Sequence, residues 1–120
     1  MFSKIAFSSI SMLLIDAIYL RFISPHFNKM FVKIQGHPIQ VNTIGFILSY
    51  ISLVTGLYYF ILREKKSPYE AFLLGLFVYS VYEAVNYATI SKWNPVFVII
   101  DSLWGGILFA LITYLTNRFA

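Results

Sequence analysis

Four apolar runs, each about as long as a bilayer is thick, constrain this chain more than any other feature of it. A helix needs ~20 mostly apolar residues to cross ~30 Å of hydrocarbon. The runs extend from about Ile5 to Ser24, Asn42 to Leu62, Tyr69 to Ile90 and Val96 to Thr116. Between them stands the punctuation that ends helices: Pro25, Gly36 with Pro38, Arg63-Glu64-Lys65-Lys66 followed by Ser67-Pro68, and Asn94-Pro95. The pattern predicts an all-α integral membrane bundle of four transmembrane helices, with residues 1–120 forming one domain.

Composition agrees with a lipid solvent. Of 120 residues, 59% are hydrophobic and 12% charged, with a mean hydropathy of +0.76. A soluble globule this short has too much surface to hide so large an apolar fraction in one core. The absence of cysteine removes disulfide frameworks, thiolate zinc sites, iron–sulfur clusters and thiol redox chemistry. The net charge of +4 comes from basic residues set singly or in short groups beside apolar stretches, which fits anionic lipid headgroups and not nucleic acid. No cofactor is expected.

The first run follows Lys4 as a secretory signal would, but Asp16 interrupts it and no small-residue cleavage site follows, so it should remain in the mature protein. In the long connection from Pro25 to Val41, Phe27, Met30, Phe31 and Ile34 recur at helical spacing while Asn28, Lys29 and Lys33 lie elsewhere on the turn. A short amphipathic helix at the membrane surface is the expectation, with an ordered loop as the alternative. Lys4, Arg63, Lys65, Lys66 and Arg118 fall on the side of the termini, and Arg21, Lys29, Lys33 and Lys92 on the other. This count favours cytoplasmic termini, and its near balance also permits dual orientation.

Of five acidic residues, Asp16, Glu83 and Asp101 lie inside the runs. A charge at mid-membrane costs ~2.5 kcal/mol or more, so such residues face a cavity or a partner. At a rise of ~1.5 Å per residue the three lie about 12, 10 and 8 Å from the ends of their runs. In a four-span hairpin topology those ends emerge on one membrane face, so the carboxylates should form a layer at one depth. Rotation agrees. Asp16 shares a stripe with Ser8, Ser9, Met12 and Tyr19; Glu83 with Gly75, Tyr79, Tyr82 and Asn86; Asp101 with Trp104, Gly105 and Leu108. The second run has no carboxylate or basic residue within its span. It presents Gly45, Ser49, Ser52 and Gly56 along one side, the small-residue pattern of a packing helix.

Three carboxylates in one poorly solvated pocket cannot all be ionised without a cation, and would titrate as a coupled set. A proton, a metal or alkali cation, or an organic ammonium could satisfy them, with Arg21 as a built-in counterion one turn nearer the surface. The bland alternative is a buried polar network, in which the acids accept from Tyr19, Tyr79, Tyr82, Asn86 or Trp104 and fix helix register. For Trp93, beside Lys92 and Pro95, an interfacial anchor is the expectation. His26 and His37 have no second ligand at metal-binding spacing and read as interfacial or loop residues. The Gly105-Gly106 pair suits close packing. No serine-nucleophile, phosphate-loop or paired-histidine motif occurs.

From Tyr82 to Gly105 the chain sets out Tyr82, Glu83, Asn86, Ala88, Thr89, Trp93, Asp101, Trp104 and Gly105, preceded by Leu14-Ile15-Asp16 near its start. This pattern resembles that of the small membrane proteins grouped as domain of unknown function 2177, whose aspartate near the start of the chain Asp16 matches. Glu83 stands where aspartate is expected, Tyr19 where the aromatic is often Trp, and Pro95 follows Trp93 by two positions instead of one. The resemblance implies a four-helix fold and a shared acidic site, and nothing about substrate.

The function expected is a small channel or transporter, assembled as a homo-oligomer, in which Asp16, Glu83 and Asp101 bind a proton or cation. Asn86, Tyr82 and Trp104 would shape the pocket, and Tyr19, Tyr79 and Arg21 would support it. The alternatives are a binding or assembly module with a structural polar network, and a membrane-embedded enzyme using two carboxylates as acid and base on a lipid.

Overall fold

A computed structural model describes residues 1–120 and consists of helices and their connections. Four helices are long and apolar enough to cross a membrane. They are α1 (Phe2–Gln35), α2 (Thr43–Leu57, prolonged by a π-helical turn over Tyr58–Leu62), α3 (Pro68–Thr89) and α4 (Pro95–Phe119). The chain runs up and down. Phe7 packs on Phe119, Lys4 Nζ donates to the Leu62 carbonyl, and Asn117 donates to the Lys66 carbonyl, so both termini and the α2–α3 turn share one end.

The helix starts follow from local chemistry. Asn42 accepts from the Gly45 amide at 3.0 Å, and Asn94 accepts from the Val96 amide at 2.9 Å with Pro95 in the first helical position. Ser67 and Glu70 form a reciprocal capping box around Pro68. Each cap supplies acceptors to amides that the helix itself leaves unpaired.

The first helix departs from expectation at Pro25. It runs straight through this residue and ends at Gly36, whose φ of 83° is a left-handed cap that side chains disfavour. Residues 26–35 are helical, but they extend α1 and are not a separate surface helix. Their apolar stripe does form a face: Met30 packs with Trp93 and Phe97, flanked by Phe27, Phe31 and Ile34. That contact with the α3–α4 turn outweighs the proline penalty. Proline removes one backbone bond, the one to the carbonyl of Arg21, which is an exposed residue.

Three layers result. Toward the termini lies an apolar core of Met12, Leu57, Ile61, Leu62, Ala71, Leu108, Phe109 and Ile112. At the opposite end the Met30, Trp93 and Phe97 cluster closes the bundle. The acids lie between the two. Lipid is as apolar as these side chains, so close packing holds the helices together in place of the hydrophobic effect. The tightest approach joins α3 to α4. A Cβ on Gly75 would strike the Gly105 carbonyl and the Phe109 ring, one on Gly105 would enter the Tyr79 ring, and one on Gly106 would meet Phe72. Gly105 and Gly106 are thus packing residues, as expected.

The second helix is not the packing helix its small residues suggested. Leu57 is its one buried residue, Gly56 has no neighbour within contact range of a Cβ, and Gly45 meets only its own cap Asn42. Ser49 and Ser52 instead line a cleft between α2 and the other helices.

Candidate functional site

Each acid in the middle layer is held by an aromatic donor. Tyr19 Oη donates to Asp101 Oδ1 at 3.0 Å, and Trp104 Nε1 donates to Asp16 Oδ1 at 2.8 Å. Tyr50 Oη donates to the other oxygen of Asp16. Trp93 Nε1 donates to Glu83 Oε2 at 3.0 Å. The rings of Tyr19 and Trp104 stack at 4.5 Å and 5°, so the Tyr19–Asp101 and Trp104–Asp16 bonds form one continuous arrangement. Aromatic hydroxyls and indoles combine a donor with an apolar body, which lets them serve a buried acid in an otherwise apolar span.

The acids differ in what remains unsatisfied. Both oxygens of Asp16 have donors, and the residue is 7% exposed. Glu83 is 0% exposed, and its Oε1 has no hydrogen-bond partner. The neighbouring polar group is Asp101, whose carboxyl lies within hydrogen-bonding reach of the Glu83 carboxyl. With one proton between them the pair is a hydrogen bond. With none, two acceptors face one another away from water.

No cation of the chain compensates these charges. The two salt bridges join Glu64 to Arg63 and Lys66 in the α2–α3 turn. Arg21, expected as a counterion, is exposed and pairs with no acid. Nor do the acids converge on one ion-sized space, since no three His, Cys, Asp or Glu residues are grouped to hold a metal ion.

Asp16 and Asp101 instead form part of the wall of a cleft of about 600 Å³. Tyr19, Tyr50, Tyr79 and Tyr82 supply its aromatic surface, and Ser49 and Ser52 of α2 its polar rim. Tyr79 and Tyr82 thus line a cleft with Asp16 and Asp101 and not with Glu83, whose stripe the sequence pattern gave them, and Tyr82 stands at an exposed lip with 60% of its surface free. Glu83 lies behind this wall, beyond Asp101. Asn86, one turn from Glu83, does not line the cleft, and its buried Nδ2 has no partner.

Two participants escaped sequence reasoning. Trp93 is no interfacial anchor. It is 5% exposed, wedged between Phe27 and Phe31, and aims its indole N–H at Glu83. Lys92, in left-handed conformation at φ 66°, makes the turn that sends Trp93 back into the bundle. Tyr50 carried a usable signal. It lies eight residues after Asn42, about 12 Å into its span, the same depth as Asp16 from the same face. His26 and His37 are exposed, His37 in the α1–α2 connection, as expected.

The family model of a predicted membrane protein, DUF2177, matches residues 1–117. No curated protein and no solved structure matches the chain.

Proposed function

This chain belongs to the domain of unknown function 2177 family of membrane proteins, and we propose that it works as a small channel or transporter that binds a proton or cation at its intramembrane carboxylates. One observation carries this reading. The fully buried Glu83 has an oxygen without a donor, its neighbour is a second carboxyl, and that neighbour, Asp101, also borders the cleft. Such a pair is a site that one proton would bridge, with a route outward through Asp101. Intramembrane acids are expensive, and a bundle needing only rigidity could use neutral residues at these positions.

Asp101 and Asp16 would present charge to a cargo, and Glu83 would hold the proton that the cargo displaces. Tyr19 and Trp104 couple the two sides through their stacked rings. A homo-oligomer, most simply a two-fold dimer, would complete a pathway that one four-helix bundle does not enclose. The weakly packed α2 supports this, because it leaves most of its surface available. Cytoplasmic termini remain the proposed orientation.

A second reading has its own support. Asp16 has a donor on each oxygen, so the Asp16–Tyr50–Trp104 group also suits a register-fixing network that ties α2 and α4 to α1. Proton flux into liposomes separates the readings. The native protein should acidify vesicles, and Asp101→Asn should lower the rate at least about tenfold, the order expected when a proton carrier is removed. Equal flux in both, or none in either, would leave the network reading.

A further inference from the structure

The cleft is far larger than a proton or a bare metal ion requires. Its volume of about 600 Å³ falls in the range of small-molecule sites. Its walls are mainly apolar and aromatic, with Leu20, Phe46, Leu53 and Val78 beside the four tyrosines. Two carboxylates border it, and no lysine, arginine or histidine does. Phe46, Leu48, Val78 and Tyr82 line it and are also exposed on the outer surface of spanning helices. The opening therefore faces sideways into the bilayer and not along the bundle axis.

These features select a ligand by chemistry. Anionic walls need a positive charge. Tyrosine faces attract a weakly hydrated organic cation through their ring quadrupoles. A lateral entrance among apolar residues admits a molecule already dissolved in the membrane. We propose that the cleft binds an amphipathic ammonium, a cationic nitrogen on an apolar body, with the nitrogen between Asp16 and Asp101 and the body along Phe46, Tyr79 and Leu53. The proposal rests on the transport reading above for its coupling, since the ammonium would exchange with the proton of the Glu83–Asp101 pair. Glu83, buried behind the cleft wall with an Oε1 whose polar neighbour is Asp101, is the carboxyl that would share that proton.

Calorimetric titration of the purified protein in a non-ionic maltoside detergent tests it. The probes are benzyltriethylammonium, tetramethylammonium, and the uncharged hydrocarbon tert-butylbenzene. Benzyltriethylammonium should bind with proton release, read from the dependence of the heat on buffer ionisation. Tetramethylammonium should bind about tenfold or more weakly, because it lacks the apolar body, and tert-butylbenzene similarly, because it lacks the charge. Asp16→Asn and Asp101→Asn should each weaken binding by about tenfold. Ser49→Leu should obstruct the cleft from the exposed face of α2, and so weaken binding with the acids and the core untouched. Competition by added phosphatidylethanolamine would identify an amine lipid as the natural source of the ammonium; its failure to compete would indicate a free lipophilic cation. Equal binding of all three probes, or binding indifferent to Ser49→Leu and to both acid substitutions, would overturn the proposal. Acid-dependent proton flux with no ammonium binding would overturn this inference alone. Ammonium binding without proton release would instead remove the coupling to the proton pair.

Discussion

Replacing Trp93 by Phe isolates what the indole N–H does for Glu83. The bond to Oε2 is 3.0 Å long, Glu83 is 0% exposed, and Oε1 already has no donor, so the substitution leaves the whole carboxyl without a nitrogen or hydroxyl donor from its surroundings other than Asp101. Loss of a hydrogen bond to such a group costs about 1.5–3 kcal/mol. The smaller ring also leaves space among Phe27, Phe31 and Met30, for about 1 kcal/mol more. The sum is about 2.5–4 kcal/mol, with the larger share tied to Glu83. On a Glu83→Leu background only the packing share should remain, so the double-mutant cycle should show coupling of about 1.5–3 kcal/mol. Reversible unfolding in mixed micelles of rising SDS content measures each corner of the cycle. If Trp93→Phe costs the same in both backgrounds, the indole is a packing group alone, and the reasoning about a buried acid needing its donor is wrong.

Two further outcomes follow from the packing and the hydrogen bonds. Gly105→Ala should destabilise the bundle by about 1–3 kcal/mol in the same unfolding assay, because its methyl group would enter the Tyr79 ring, whereas Gly56→Ala, with open space around it, should change stability by less than about 0.5 kcal/mol. Tyr19→Phe should keep the stack on Trp104 and lose the donor to Asp101, costing about 1–3 kcal/mol and changing proton flux as Asp101→Asn does, while Tyr59→Phe, on the exposed side of the π-helical turn, should alter neither.

Much of the architecture was legible because it rests on local chemistry. Asn42, Ser67 with Pro68, and Asn94 with Pro95 announce three helix starts, and Gly36 ends the helical stretch that follows Pro25. The matched depth of the acids was also legible, because rise per residue is nearly constant in a helix. Tyr19 reaching Asp101 and Trp104 reaching Asp16 follow from that matching. What was not legible depended on partners distant in sequence. Pro25 stops a helix in isolation, but here Met30 and Phe31 gain Trp93 and Phe97 by continuing. Small residues permit close packing without compelling it, so the Gly45, Ser49, Ser52 and Gly56 stripe could not reveal that α2 packs instead through Tyr50, Leu53 and Leu57 and leaves Ser49 and Ser52 on a cleft. Trp93 looked like an interfacial residue because its position in the chain is interfacial, and only the Lys92 turn directs its ring inward. The family's shared Trp was the one sign that this residue does more than anchor.

The central claim is that Glu83 and Asp101 hold a single proton between them, and infrared spectroscopy of the carboxyl C=O stretch tests it most directly. In native protein reconstituted in lipid, a band of a protonated carboxylic acid should be present, shifted by hydrogen–deuterium exchange and lost in both Glu83→Gln and Asp101→Asn. A native spectrum with carboxylate bands alone, unchanged apart from intensity in the two variants, would contradict it.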